Sequence, residues 1–179
     1  FEPRYLDMIG RCMKTQTGFG VVLIREGFDA RMSENDPQPT IFEVGTYASI
    51  TDFNELPQGR LGIVAEGGPR IRIHDTWSRD DHLLMGSVEM MPEERPAPIA
   101  DEHQALVDIL RQRLEQPMIE RLGLDVDFDD ARSVSWRLAE LLPIEAETKQ
   151  SLLQMNLPRE RLTEIRRLLG KFRGETTGN

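Results

Sequence analysis

The sequence holds one cysteine, Cys12, so no disulfide can form within the chain. Together with the lack of a secretory apolar segment, this points to a reducing, cytoplasmic setting. Aromatic residues are scarce at 6%, which leaves a core to be built mostly from Leu, Ile, Val and Met. No apolar run approaches the length that crosses a bilayer. The pattern GxxxxGK[ST] is absent, and with it the glycine-rich loop that would cradle nucleotide phosphates in an ATPase of that kind. What remains is a soluble type of composition, 39% hydrophobic and 30% charged, over 179 residues, enough for one domain or a small two-part fold.

The first half reads as β-rich. A helix opens it, because Tyr5, Met8, Ile9, Cys12 and Met13 recur at helical spacing, which turns Cys12 inward as core rather than nucleophile. Phe19 to Ile24 is expected as a strand buried on both sides. Glu26 to Thr40 is an exposed loop, and Ile41 to Phe53 returns to strand, with Gly45 marking a bulge or a close backbone approach. From Arg60 to Trp77 two alternating runs, Leu61, Ile63, Ala65 and Ile71, Ile73, predict a hairpin turning at Gly67-Gly68-Pro69. A last strand lies within His82 to Met91, with Leu84, Gly86, Val88 and Met90 on one face.

The proline- and acid-rich EERPAPIADE marks the change to an α-rich half, with the boundary drawn between residues 1–95 and 96–179. Ala105, Leu106, Ile109, Leu110 and Leu114 form a helix that Pro117 interrupts before Met118. Asp129 or Asp130 caps the next, whose stripe is Ala131, Val134, Ser135, Leu138 and Leu142, leaving Trp136 to the side. The most legible stretch is Leu141 to Leu169. It predicts two antiparallel helices of about three turns, the first started by Pro143 and the second by Pro158, with Gly170 as a C-terminal cap.

Several segments share the order and residues of a known family. They are Phe1-Glu2-Pro3-Arg4-Tyr5, Phe19-Gly20-Val21-Val22, Val44-Gly45-Thr46-Tyr47-Ala48, Gly59-Arg60-Leu61, Gly68-Pro69-Arg70-Ile71-Arg72-Ile73, Leu142-Pro143 with Lys149, Gln150, Leu152 and Leu153, and Arg161-Leu162 with Leu168 and Leu169. In these the chain resembles the N-terminal domain of Lon proteases over almost its whole length. Ile71 stands where that family often has Phe, and the family's proline-rich leading strand has no counterpart before Phe1, so that first strand is expected to be missing here. The resemblance implies a PUA-like bent β pseudobarrel followed by a C-terminal helical bundle, an α+β fold. It further implies a standalone bacterial-type domain, without ATPase and protease domains, that handles protein substrates.

The candidate binding residues follow from that expectation and from the side chains. Met85, Met90, Met91 and Met118 gather around the junction of the halves, and flexible thioethers suit surfaces that accept varied polypeptides, although core packing is the default role for most of them. Trp77 is a further contact if exposed, as is Trp136. The net charge is −9, with acids concentrated between Asp80 and Asp130, while Arg159, Arg161, Arg166, Arg167, Lys171 and Arg173 make the last helix basic. That helix is a solvated face complementing its macrodipole, or, in a rival reading, an RNA-binding patch of a PUA-like module using Arg159, Arg166, Arg167, Lys171 and Arg173. The loop HDTWSRDDH, with His74, Asp75, Asp80, Asp81 and His82, has a metal-like composition but reads as a charged loop between strands. The expectation is a noncatalytic domain without cofactor or metal that binds unfolded or degron-bearing polypeptides or a protein partner, with no membrane, nucleic acid disfavoured by the charge, and the oligomeric state open.

Overall fold

The computed structural model describes residues 2–29, 37–56 and 60–175, with side chains described at 2–29, 37–55 and 62–171. The chain forms two compact units, Phe1–Glu93 and Glu94–Asn179, and combines antiparallel sheet with helices as an α+β protein. The leading Phe1 and the Gly59 of the Gly-Arg-Leu segment lie outside the described residues.

In the first unit, helix α1 (Pro3–Thr15) begins on Pro3, whose missing N–H costs nothing in a first turn, and buries Arg4, Ile9 and Cys12. It ends at Gln16 in the left-handed region, φ +52°, with the Gln16 N–H on the Cys12 carbonyl. Strands β1 (Phe19–Val21), β4 (Val44–Leu56), β5 (Arg60–Ser78) and β6 (Leu84–Met90) make a sheet in the order β1-β4-β5-β6, with each pair antiparallel. Strands β2 (Ile24–Glu26) and β3 (Thr40–Ile41) pair separately.

Two expectations fail here for physical reasons. Phe19 to Ile24 is not one buried strand: the chain leaves the first sheet after Val21 and enters the second at Ile24, and Val21 is exposed. Gly20 and Val21 both face solvent, so the run is not covered on both sides. Nor does the chain turn at Gly67-Gly68-Pro69. β5 runs straight through those residues, because Thr46 pairs with Arg70 and Ala48 with Gly67, leaving Gly68 and Pro69 opposite Tyr47 alone. That is a β-bulge, where a proline without a donor and residues without side chains are tolerated. β4 and β5 instead pair with each other as far as Leu56 and Arg60, and residues 57–59 lie outside the described residues. Gly45 is a point of close approach, since a Cβ there would meet the Val21 carbonyl oxygen at 2.6 Å.

The second unit packs a 3-10 turn (Asp101–His103) and helices α2 (Gln104–Leu114), α3 (Pro117–Glu120), α4 (Ala131–Leu141), α5 (Ala146–Gln154) and α6 (Pro158–Glu175). Leu106, Val107, Leu110, Val134, Leu138, Leu152, Leu162 and Ile165 are buried together, each worth about 1.5–3 kcal/mol as apolar surface removed from water. Asp130 is the cap of α4, its Oδ1 accepting from the Arg132 N–H at 2.9 Å. The two last helices differ from expectation. Pro143 does not start α5, which begins three residues later at Ala146; it forces the preceding Leu142 into extended backbone, ψ 137°, and so ends α4. Gly170 is not a cap, because α6 continues to Glu175. α6 lies along α4, which supplies much of its burial.

Candidate functional site

The outer edge of β6 carries two of the exposed apolar residues of the first unit, Val88 and Met90. Its register with β5 pairs Ile71 with Met90, Arg72 with Glu89, Ile73 with Val88 and, beyond a bulge at His74, Trp77 with Met85. The Met91 N–H donates to the Arg70 carbonyl at 2.9 Å. Because bonded and unbonded pairs alternate along an antiparallel ladder, Ile71–Met90 and Ile73–Val88 are unbonded pairs. The Ile73 N–H accordingly points the other way and donates to Glu43 in 2.7 Å. It follows that the N–H and C=O groups of Val88 and Met90 face outward, and no strand pairs with that side among the described residues. The side chains beside these free groups are exposed as well, Val88 at 45% and Met90 at 51%, while Ile71, across from Met90, is at 2%. The sheet passes from core to solvent within one strand spacing.

The other face of the same edge carries Met85, Ser87 and Glu89, with Trp77 and Arg72 beside them on β5. Trp77 is exposed, and Met85 opposite it is half-buried. Adjacent residues of a strand point to opposite faces, so Met90 does not share a surface with Met85 or Met91. Met118 belongs to α3 of the second unit, where it is exposed together with Leu122. The methionines read from the sequence as one group are thus divided between two faces of one edge and a separate helix.

The remaining candidates find local partners. Cys12 is buried, with its thiol on the Gly18 carbonyl at 3.4 Å. His74 lies 3.3 Å from Glu89, and Asp81 accepts from the Leu83 N–H at 3.1 Å within the tight turn where His82 has φ +63°. Among the described residues no group of three or more His, Cys, Asp or Glu side chains is placed to hold a metal ion. On α6, Arg159 donates to the Pro98 carbonyl, Arg166 to Glu102 at 3.0 Å, and Arg167 to Glu164, so three members of the basic set already face oxygen atoms of the chain. Lys171 is exposed, and the side chain of Arg173 lies outside the described residues.

Arg161, read from the sequence as part of that basic tail, is wholly buried. Its Nε donates to the Leu152 carbonyl at 3.2 Å, Nη1 to Glu94 and to the Ser135 hydroxyl at 3.0 Å, and Nη2 to Glu94 and to the Met155 carbonyl at 2.7 Å. All five guanidinium donors are used, and the Trp136 ring stacks beneath at 3.4 Å. Sequence spacing places Arg161 between Pro158 and Leu162 in a first helical turn, where only the three-dimensional position of Glu94 tells it apart from an exposed arginine. That Val88 and Met90 share a face is legible in strand alternation; that their edge is free is not.

These features accompany a family relationship. The family described as the ATP-dependent protease La (LON) substrate-binding domain matches residues 1–171. The Lon protease of Lawsonia intracellularis is 28% identical over 136 residues, 72% of this chain and 16% of that protein. That of Rhizobium meliloti is 27% identical over 148 residues, 80% of this chain and 18% of that protein. The chain thus spans less than a fifth of the length of these curated relatives. A crystal structure of a Lon N-terminal domain protein from Xanthomonas campestris matches with a TM-score of 0.73 at 32% identity, covering 92% of this chain and 83% of that one. No helix among the described residues is long and apolar enough to cross a membrane. A match to the family over nearly every residue, with the same fold in a 32% identical structure, makes this chain a member of the Lon substrate-binding domain family.

Proposed function

We propose that this chain is a noncatalytic polypeptide-binding domain that holds an extended segment of an unfolded or degron-bearing protein along the outer edge of β6. The observation that carries the reading is the outward N–H and C=O groups of Val88 and Met90, flanked by those residues' own exposed side chains. A strand added there gains main-chain hydrogen bonds of about 0.5–1.5 kcal/mol each, whatever its sequence. It also covers apolar surface at about 25 cal/mol per Å². Backbone bonding tolerates many sequences, which suits a family whose description is substrate binding. Trp77 and Met85 extend the same edge on its other face, while Met118 offers a separate apolar contact on the second unit.

Fluorescence anisotropy with a labelled, extended apolar peptide tests this. N-methylation at alternate residues, on the side that faces β6, is expected to abolish binding, and methylation at the intervening residues to leave it intact. Val88→Pro removes an outward donor at an edge position and is expected to weaken binding about tenfold, with Met118→Ala close to wild type. Equal binding of both methylated series, or of Val88→Pro after its fold has been verified by circular dichroism, overturns the proposal.

A further inference from the structure

The residues of β6 alternate in chemistry as well as in direction, and this bears on which segments the edge accepts. Between Leu84 and Met90 the only charged residue is Glu89, and it lies between Val88 and Met90 in sequence but on the opposite face. Its carboxylate is well exposed, with His74 at 3.3 Å as its one ion-pair neighbour among the described residues. Arg72, directly across on β5, forms no ion pair with it within 4 Å among the described residues. Asp75 lies on that same face, opposite Ser87, and Met85 follows opposite Trp77.

From this arrangement we infer that the edge selects extended segments in which one basic residue is flanked on both sides by apolar residues, the basic side chain meeting Glu89. The inference rests on the edge-binding reading above and adds its substrate class. A strand laid against β6 must alternate its own side chains between the same two faces, whichever direction it runs. The two residues that share a face with Val88 and Met90 continue the apolar surface leading to Ile71. The residue between them projects beside Glu89, one strand spacing away and nearer to it than to Arg72. Opposite charges in that position stabilise, and like charges destabilise. Further along, a residue beside Met85 meets the half-buried Met85 side chain and is favoured when apolar. The net charge of −9 adds a long-range attraction for such cationic segments that does not depend on register.

Two peptides of alternating Val and Thr, differing only in a central Lys or Glu flanked by Val, separate these contributions when titrated against the wild type, Glu89→Gln and Glu89→Lys. The expected result is a preference of about three- to tenfold for the Lys peptide in the wild type, shrinking in Glu89→Gln and reversing in Glu89→Lys. A preference for Lys that persists undiminished in Glu89→Lys would assign it to the net charge and overturn the proposal. Equal binding of the two peptides to every form would also overturn it while leaving edge binding in place. Failure of both peptides to bind the wild type at low salt would remove the edge reading itself.

Discussion

Arg161 is a full charge placed where water cannot reach it, and its five donors and one ring contact compensate for the lost hydration. Truncating it takes the Arg161 guanidinium away from the Glu94 carboxylate, itself almost fully buried. Arg161→Ala is therefore expected to destabilise the protein by about 3–5 kcal/mol in urea denaturation. Arg161→Met combined with Glu94→Gln, which removes both charges, should recover most of that loss. His103 is a second buried polar residue of this unit, and its protonation can be worked out. The Thr163 hydroxyl donates to the Arg159 carbonyl at 3.0 Å, so the His103 Nε2, 3.0 Å from that hydroxyl, is the donor and Nδ1 the bare nitrogen. Nδ1 is buried with no hydrogen-bond partner, so a second proton there would have no acceptor. Burial, followed by Arg166 and Arg159 and opposed by Glu102, holds the imidazole below its ordinary value of 6.5. A base whose folded value is lowered binds fewer protons folded than unfolded. Its stabilising effect is complete above about pH 6.5 and is lost as pH falls through the folded value. His103→Gln should flatten the acid limb of a stability-versus-pH curve; an unchanged slope would count against this assignment.

At the scale of elements, glycine and proline decide where the strands go, and they do so by contact as much as by turn preference. A Cβ at Gly18 would lie 2.0 Å from the Ala48 carbonyl oxygen and 2.7 Å from the Tyr47 ring, whose hydroxyl accepts from the Gly18 N–H. The Ala48 carbonyl cannot retreat without disturbing the β1–β4 pairing. Gly18→Ala is expected to lower stability by about 1–3 kcal/mol or more, measured by the urea midpoint. Gly10, within α1 and with open space around its Cβ position, is the contrast: Gly10→Ala should stabilise by about 0.5–1 kcal/mol. The same chemistry explains what the sequence made legible. The stripe Ala131, Val134, Ser135, Leu138 and Leu142 reads directly as the buried face of α4, and Asp130 as its cap, because both signals are local. Gly67-Gly68-Pro69 misleads because turn and bulge favour the same residues, and only the position of Tyr47 on another strand distinguishes them. Pro143 is ambiguous in the same manner, as a proline can end one helix or begin the next.

For the whole molecule, the α+β class and the likeness to Lon substrate-binding domains were both legible from the order of short motifs along the chain, and the family match over residues 1–171 agrees. Less was legible of the candidate edge. Strand alternation gives the faces of β6, but whether a strand is central or at the border depends on pairings tens of residues apart, such as β4 with β5. Surface charge was misleading for a related reason. Sequence marks Arg161 and Arg166 alike as cations of one helix, whereas the fold buries the first against Glu94 and leaves the second at the surface with Glu102.

The Glu94–Arg161 pair also orders events in time. The two residues are 67 positions apart, and Glu94 is the first residue of the second unit while Arg161 lies in its last helix. During synthesis from the N-terminus, the Glu94 carboxylate emerges well before the guanidinium that neutralises it. The buried pair, and the Leu162 and Ile165 side chains that enter the core beside it, are therefore supplied only once α6 has been synthesised.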